Sequence, residues 1–151
     1  MIYCIDTSAM IDAGHRYYPS DLFPAFWEKM DGLALDGRLK APPMLLEELE
    51  KRDEEWRQWV YQRESQIVVP PDAPFLTNMK NVVHAYTQLG ADPETLTGDP
   101  FFIALSLTEG MTLLTSERPN KGKVKIPIVC NAIGVQTITL LNFMRQEGWR
   151  F

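Results

Sequence analysis

The sequence predicts an α/β fold with a parallel sheet. Short runs of β-forming apolar residues alternate along the chain with segments of helical periodicity, the order expected when strands are joined by helical crossovers. Each run is only long enough to cross a sheet that is buried on both faces. A third feature points to one edge of that sheet. An acidic residue stands where a strand ends or where the helix it feeds begins: Asp6 after Ile2-Tyr3-Cys4-Ile5, Asp99 before Pro100-Phe101-Phe102-Ile103, and Glu117 after Thr112-Leu113-Leu114-Thr115. Carboxylates gathered in one place repel one another, so they imply a cation.

The predicted strands are residues 2–6, 66–69, 112–115 and 135–138. The first predicted helix begins near Ser20 and Pro24 and runs to about Leu35, before Gly37. The next opens at Pro42-Pro43, where proline suits a first turn, and continues to about Glu64. Pro70-Pro71 closes the second strand. A third helix over 75–89 carries Met79, Val82, Val83 and Tyr86 on one face and stops at Gly90. Shorter helices follow over 100–109, 127–133 and 140–147, each closed by a glycine: Gly110, Gly134 and Gly148.

With 151 residues, 45% hydrophobic and 11% aromatic, the chain has enough apolar matter for one domain over residues 1–151 and too little for two. A net charge of −5 argues against a general nucleic-acid coat, which needs a broad basic face. Cys4 and Cys130 lack partners at metal-ligand spacing, so they read as buried small apolar residues in a reducing cytoplasm. No run reaches the length of a membrane span and the N-terminus has no secretory pattern, so the expectation is a soluble cytoplasmic protein.

Within the second helix, Glu47, Glu48 and Glu50 are neighbours, and helical phase separates them. At about 100° per residue, the stripe Leu45, Leu49, Trp56, Trp59 and Val60 leaves Glu48 on its flank and Glu47 on the far side. Glu48 is then the acid placed to face the interior edge, whereas Glu47, Glu50, Glu54 and Glu55 read as a solvated face. Each remaining acid has a bland explanation as well. Asp99 before Pro100 is a good helix N-cap, Asp6 before Thr7-Ser8 can cap a helix after the first strand, and Glu117 can be an ordinary loop acid. Singly those explanations win. They do not account for three acids at the edge of an open α/β sheet where ligands bind.

Four segments together resemble the PIN domain: Tyr3-Cys4-Ile5-Asp6-Thr7-Ser8-Ala9-Met10-Ile11, then Leu46-Glu47-Glu48-Leu49, then Gly98-Asp99-Pro100-Phe101-Phe102-Ile103-Ala104-Leu105, then Leu113-Leu114-Thr115-Ser116-Glu117. The ending, Lys125-Ile126-Pro127-Ile128-Val129-Cys130 with Gly134-Val135 and Gly148-Trp149-Arg150-Phe151, resembles an uncharacterised prokaryotic PIN-like subgroup. The resemblance implies a PIN-like fold, a small parallel sheet of four to five strands with helices on both faces. It also implies metal-dependent RNA hydrolysis, as in the VapC-like toxins of toxin–antitoxin pairs, with RNA as substrate, an antitoxin protein as partner and a homodimer as the assembly. Carried across, the family's acids fall on Asp6, Glu48, Asp99 and Glu117, the last in place of the more common aspartate. Thr7, Ser8 and Thr115 stand where side chains help to hold the site.

The chemistry is consistent with that resemblance. Mg²⁺ or Mn²⁺ prefers oxygen ligands and keeps several waters, so a few carboxylates suffice without histidine or cysteine. Asp6 and Asp99 are expected as direct ligands, with Glu48 and Glu117 completing or orienting the shell. Arg118, Lys121, Lys123 and Lys125 follow Glu117 and put positive charge beside the acids, and Arg16 with Tyr17 and Tyr18 offers a phosphate contact and a stacking surface. Exposed lysines and core tyrosines explain the same residues without RNA. His84 reads as exposed, His15 as a loop residue, and Trp56 with Trp59 as packing or a dimer surface. A dinucleotide site lacks its glycine-rich turn after the first strand, and an aspartyl phosphatase lacks a second Asp at position 8. A PIN-like module that binds RNA or a protein without cutting remains the alternative.

Overall fold

The computed structural model describes residues 1–118 and 123–151. The first apolar run forms β1 (Tyr3–Ile5), buried at all three positions, and β3 (Thr112–Leu114) is likewise buried throughout. Successive strand side chains point to opposite faces, so full burial means that both faces of the sheet are covered. β1 pairs in parallel with β3, Tyr3 opposite Thr112 and Ile5 opposite Leu114. On its other side β1 pairs with β2 (Leu39–Lys40), and β3 pairs with β4 (Thr137–Ile138), all parallel. The order β2-β1-β3-β4 sends the chain outward in opposite directions from the central pair. The crevice where ligands bind in such sheets lies at that reversal, beyond the C-terminal ends of β1 and β3.

Asp6 follows β1 directly and caps α1 (Thr7–Ile11). The helix then widens into a π-helical turn over Asp12–Tyr17, so His15 is helical and not in the expected loop. The turn packs closely at Gly14, where a Cβ would sit 2.1 Å from Nε1 of Trp56. Tyr17 and Tyr18 have different fates. Tyr18 stacks on Phe26 at 4.6 Å and is half-buried, whereas Tyr17 is exposed beside Arg16.

The expected helix after Gly37 differs in detail. α2 (Pro24–Leu35) forms as predicted, but the span 42–64 is two helices, α3 (Met44–Arg52) and α4 (Glu54–Tyr61). Asp53 breaks it by adopting extended backbone and accepting the Trp56 N–H, an N-cap inside what reads locally as continuous helix. Trp56 packs inward against Trp27, ring centroids 3.9 Å apart, and Arg63 lies 4.2 Å over Trp59.

The predicted strand 66–69 is a correction too. Its first half is helical, α5 (Glu64–Ile67), and only Val68 makes a parallel bridge, to Ala41. A fifth strand is therefore reduced to one pair flanking β2. Further along, α6 (Ala73–Gln88) runs against α7 (Asp99–Glu109). The latter buries six residues, including Phe102, Ile103 and Leu105. α8 (Ile126–Ile133) touches both helices. Gly134 ends it at φ 85°, a left-handed cap, and β4 is only Thr137–Ile138, two residues shorter than the predicted strand. α9 (Leu140–Glu147) returns its Glu147 to the start of β1. Cys4 and Cys130 are buried free thiols. No helix among the described residues is long and apolar enough to cross a membrane.

Candidate active site

The parallel pairing of β1 with β3 places Asp6 beside Thr115, since the Asp6 N–H bonds the Leu114 carbonyl at 3.0 Å. Asp6 is 2% exposed. Its Oδ1 accepts from the Ala9 N–H and the Ser8 hydroxyl, each at 2.8 Å, and its Oδ2 accepts from the Thr115 hydroxyl. Those hydroxyls also tie the strand ends together: Ser8 Oγ accepts from the Ser116 N–H and Thr115 Oγ1 from the Glu117 N–H, both at 3.1 Å. A carboxylate offers about four lone-pair sites, so three donors leave Asp6 with capacity for one more partner. The capping explanation for Asp6 is thus correct, and it does not exhaust the side chain.

Glu48 reaches the same edge from α3. Its Oε1 accepts from the Thr7 hydroxyl at 2.7 Å, while Glu47 is exposed, as the helical phase requires. Gly98 makes room for this approach. A Cβ there would lie 2.6 Å from Cγ of Met44 and 3.0 Å from the Glu48 carboxyl carbon. Asp99 is the first residue of α7 and makes no capping bond, the cap position being Gly98. Its carboxyl is therefore not consumed by the helix end. Glu117 accepts the Ile126 N–H at the start of α8, at 3.0 Å.

Two of the four acids, Asp6 and Asp99, are displaced from their ordinary range by burial and by the charges of the others. Burial pushes the Asp6 carboxyl up to about 7 against the pull of Thr115, Ala9 and Ser8, and the charge of Glu117 raises it further. Asp99 is raised by burial first, then by Glu117, Asp6 and Glu48. No salt bridge among the described residues reaches any of the four. Nor, among those residues, are three or more His, Cys, Asp or Glu side chains drawn close enough to hold an ion alone. What the edge offers is an oxygen-only donor set with uncompensated charge, suited to a hard cation that keeps part of its water.

Of the expected basic residues, Arg118 and Lys123 are exposed, Lys125 caps α8 next to Ile126, and Lys121 lies outside the described residues. Arg16 is exposed on the π-helical turn, with no hydrogen bond or salt bridge to the acids among the described residues. His84 is exposed as expected. His15 pairs with the buried Asp53, away from the four acids. Sequence reasoning did not find the steric role of Gly98, although its place before Asp99 was visible. It also read Tyr86 only as part of an apolar face, whereas its buried hydroxyl feels the charges of Asp99, Glu117 and Asp6, a neighbourhood no local signal reveals.

A family model described as a domain of unknown function, DUF4411, matches residues 3–151, and the chain belongs to that family. No curated protein matches it in sequence. Its structure is similar to VapBC-1 from nontypeable Haemophilus influenzae, with a TM-score of 0.62 and 16% identity over 92% of this chain and 98% of that one. VapBC2 from Rickettsia felis, solved bound to a DNA fragment from its promoter, gives 0.60 and 14% over the same shares. FitAcB from Neisseria gonorrhoeae gives 0.55 and 14%, covering 91% and 96%. At such identities the likeness establishes the fold, and the fold is PIN-like.

Proposed function

We propose that this DUF4411 protein is a metal-dependent ribonuclease of the PIN type and the toxin of a toxin–antitoxin pair. The observation that carries the reading is the convergence of Asp6, Glu48, Asp99 and Glu117 on the β1/β3 switch point with no salt-bridge partner among the described residues. Asp6 and Asp99 would hold Mg²⁺ or Mn²⁺, with Glu48 and Glu117 contacting it or its waters. Such an ion offsets phosphate charge and lowers the pKa of a bound water.

The chain's own residues have readable parts in this. Thr115 and Ser8 hold Asp6 in one orientation, and Thr7 holds Glu48. The Ile126 N–H does the same for Glu117. Arg118, Lys121, Lys123 and Lys125, with Arg16, would attract the RNA backbone, since lysine and arginine contact phosphate without reading bases. The antitoxin partner belongs to the same proposal, supported by the two-component names of the VapBC and FitAcB neighbours, and a homodimer is proposed with it on the PIN resemblance alone.

The test is cleavage of single-stranded RNA by wild type and Asp6→Asn in Mg²⁺ or Mn²⁺. Wild type should cut only with the ion, and the variant at least about a hundredfold more slowly with its circular dichroism unchanged. Equal rates would overturn the assignment. RNA binding by a wild type that never cuts would select the non-cleaving alternative.

A further inference from the structure

We propose that Tyr86 is a positioning residue of the acid site, its buried hydroxyl donating a hydrogen bond into the oxygen shell that Asp99 and Glu117 form with a divalent cation. The inference rests on the metal-site reading above. Tyr86 lies in the last turn of α6 and is 2% exposed, yet its hydroxyl has no hydrogen-bond partner among the described residues. Buried tyrosine hydroxyls are rarely left in that state, because the group loses water and gains nothing in exchange.

The surroundings identify the missing partner. The groups acting on the Tyr86 hydroxyl are, beyond burial, the carboxylates of Asp99, Glu117 and Asp6 and the Cys130 thiol. A tyrosine phenol carries its proton at neutral pH, so the group is available as a donor. A phenol facing acidic oxygens needs only an oxygen at hydrogen-bond distance. A cation that gathers Asp99, Glu117 and water supplies one. Among the described residues, the other buried polar atoms without a hydrogen bond are Asp53 Oδ2, which meets His15 as an ion pair, and Trp56 Nε1, which lies against Gly14; both sit where α4 meets the π-helical turn and need no ligand of this site. If packing alone were required of residue 86, phenylalanine would fill the same space.

Tyr86→Phe removes the one oxygen and keeps the ring. Mn²⁺ titration by calorimetry should show affinity about five- to tenfold weaker than wild type, the loss of one hydrogen bond. The Mn²⁺ concentration giving half-maximal RNA cleavage should rise by the same factor, and the melting temperature without metal should stay level or rise. Equal Mn²⁺ affinity in the two proteins would overturn the role of Tyr86 and leave the ribonuclease reading standing. A lower metal-free melting temperature would also overturn it, by showing that the hydroxyl already has a partner. Failure of wild type itself to bind Mn²⁺ would overturn both readings.

Discussion

Two carboxylates mark the opposite ends of β1 and are treated in opposite ways. At its start, Glu147 accepts from the Tyr3 hydroxyl and from the Arg38 guanidinium, each at 2.6 Å. Burial alone would raise its pKa, but those two partners overcome it and hold the carboxyl below its ordinary range. At the far end, Asp6 receives neutral donors only, and burial pushes it up to about 7. The same strand therefore carries a charge completed within the fold and a charge left for something else to complete. The first charge stabilises the fold through its partners, and the second is the one that the proposed cation would complete.

The comparison can be broken most sharply at Glu48. If the C-terminal edge reserves its charge for a cation, Glu48→Gln should slow RNA cleavage about ten- to hundredfold, the usual cost of losing a supporting group around a metal. Glu47→Gln, one residue away on the exposed side, should leave the rate within about twofold. Equal losses in cleavage assays would mean that general acidity, and not the Thr7-anchored position, matters.

A smaller effect is expected at the other end. Glu147→Gln removes the charge from two hydrogen bonds, and urea unfolding should show about 1–2 kcal/mol of lost stability with metal-dependent cleavage unchanged. Asp6→Asn should instead hold or gain stability without metal. A stability loss for Asp6→Asn as large as that for Glu147→Gln would erase the distinction between the two ends.

The smallest signal is the pH dependence, and its sign differs between the ends. The folded pKa of Asp6 lies above its unfolded value, so its contribution is intact below about 4 and is lost as pH rises toward 7. Asp6→Asn should therefore gain on wild type progressively over that interval in metal-free melting curves. Glu147 has a depressed folded pKa, so its stabilisation is present above the unfolded value and disappears as pH falls through the folded one. The deficit of Glu147→Gln should accordingly shrink only in acid. A gap between wild type and Asp6→Asn that does not change with pH would show that Asp6 is not desolvated.

Much of this was legible in the chain before folding was considered. Pro24 and Gly37 bracketed α2, an apolar face marked α6, glycines marked the ends of α7, α8 and α9, and the phase of the Leu45–Leu49 stripe separated Glu48 from Glu47. Acids at strand ends identified the edge. All of these are properties of residues close together in sequence, where backbone geometry converts spacing into direction. Tertiary structure decided the rest. β2 is two residues long and exists because β1 is there to pair with it. Gln66 and Ile67 turned helical although they open a β-type run with Val68 and Val69, and Asp53 ended a helix that local pattern continues. The Thr7–Glu48 bond joins residues 41 apart, and the Asp6–Thr115 bond joins residues 109 apart. The Tyr86 hydroxyl, without a hydrogen-bond partner among the described residues, is buried where α6 packs against α7 and α8. Side-chain chemistry is written residue by residue, but which groups face one another depends on strand order and helix packing, and those are settled only when distant segments compete for the same buried space.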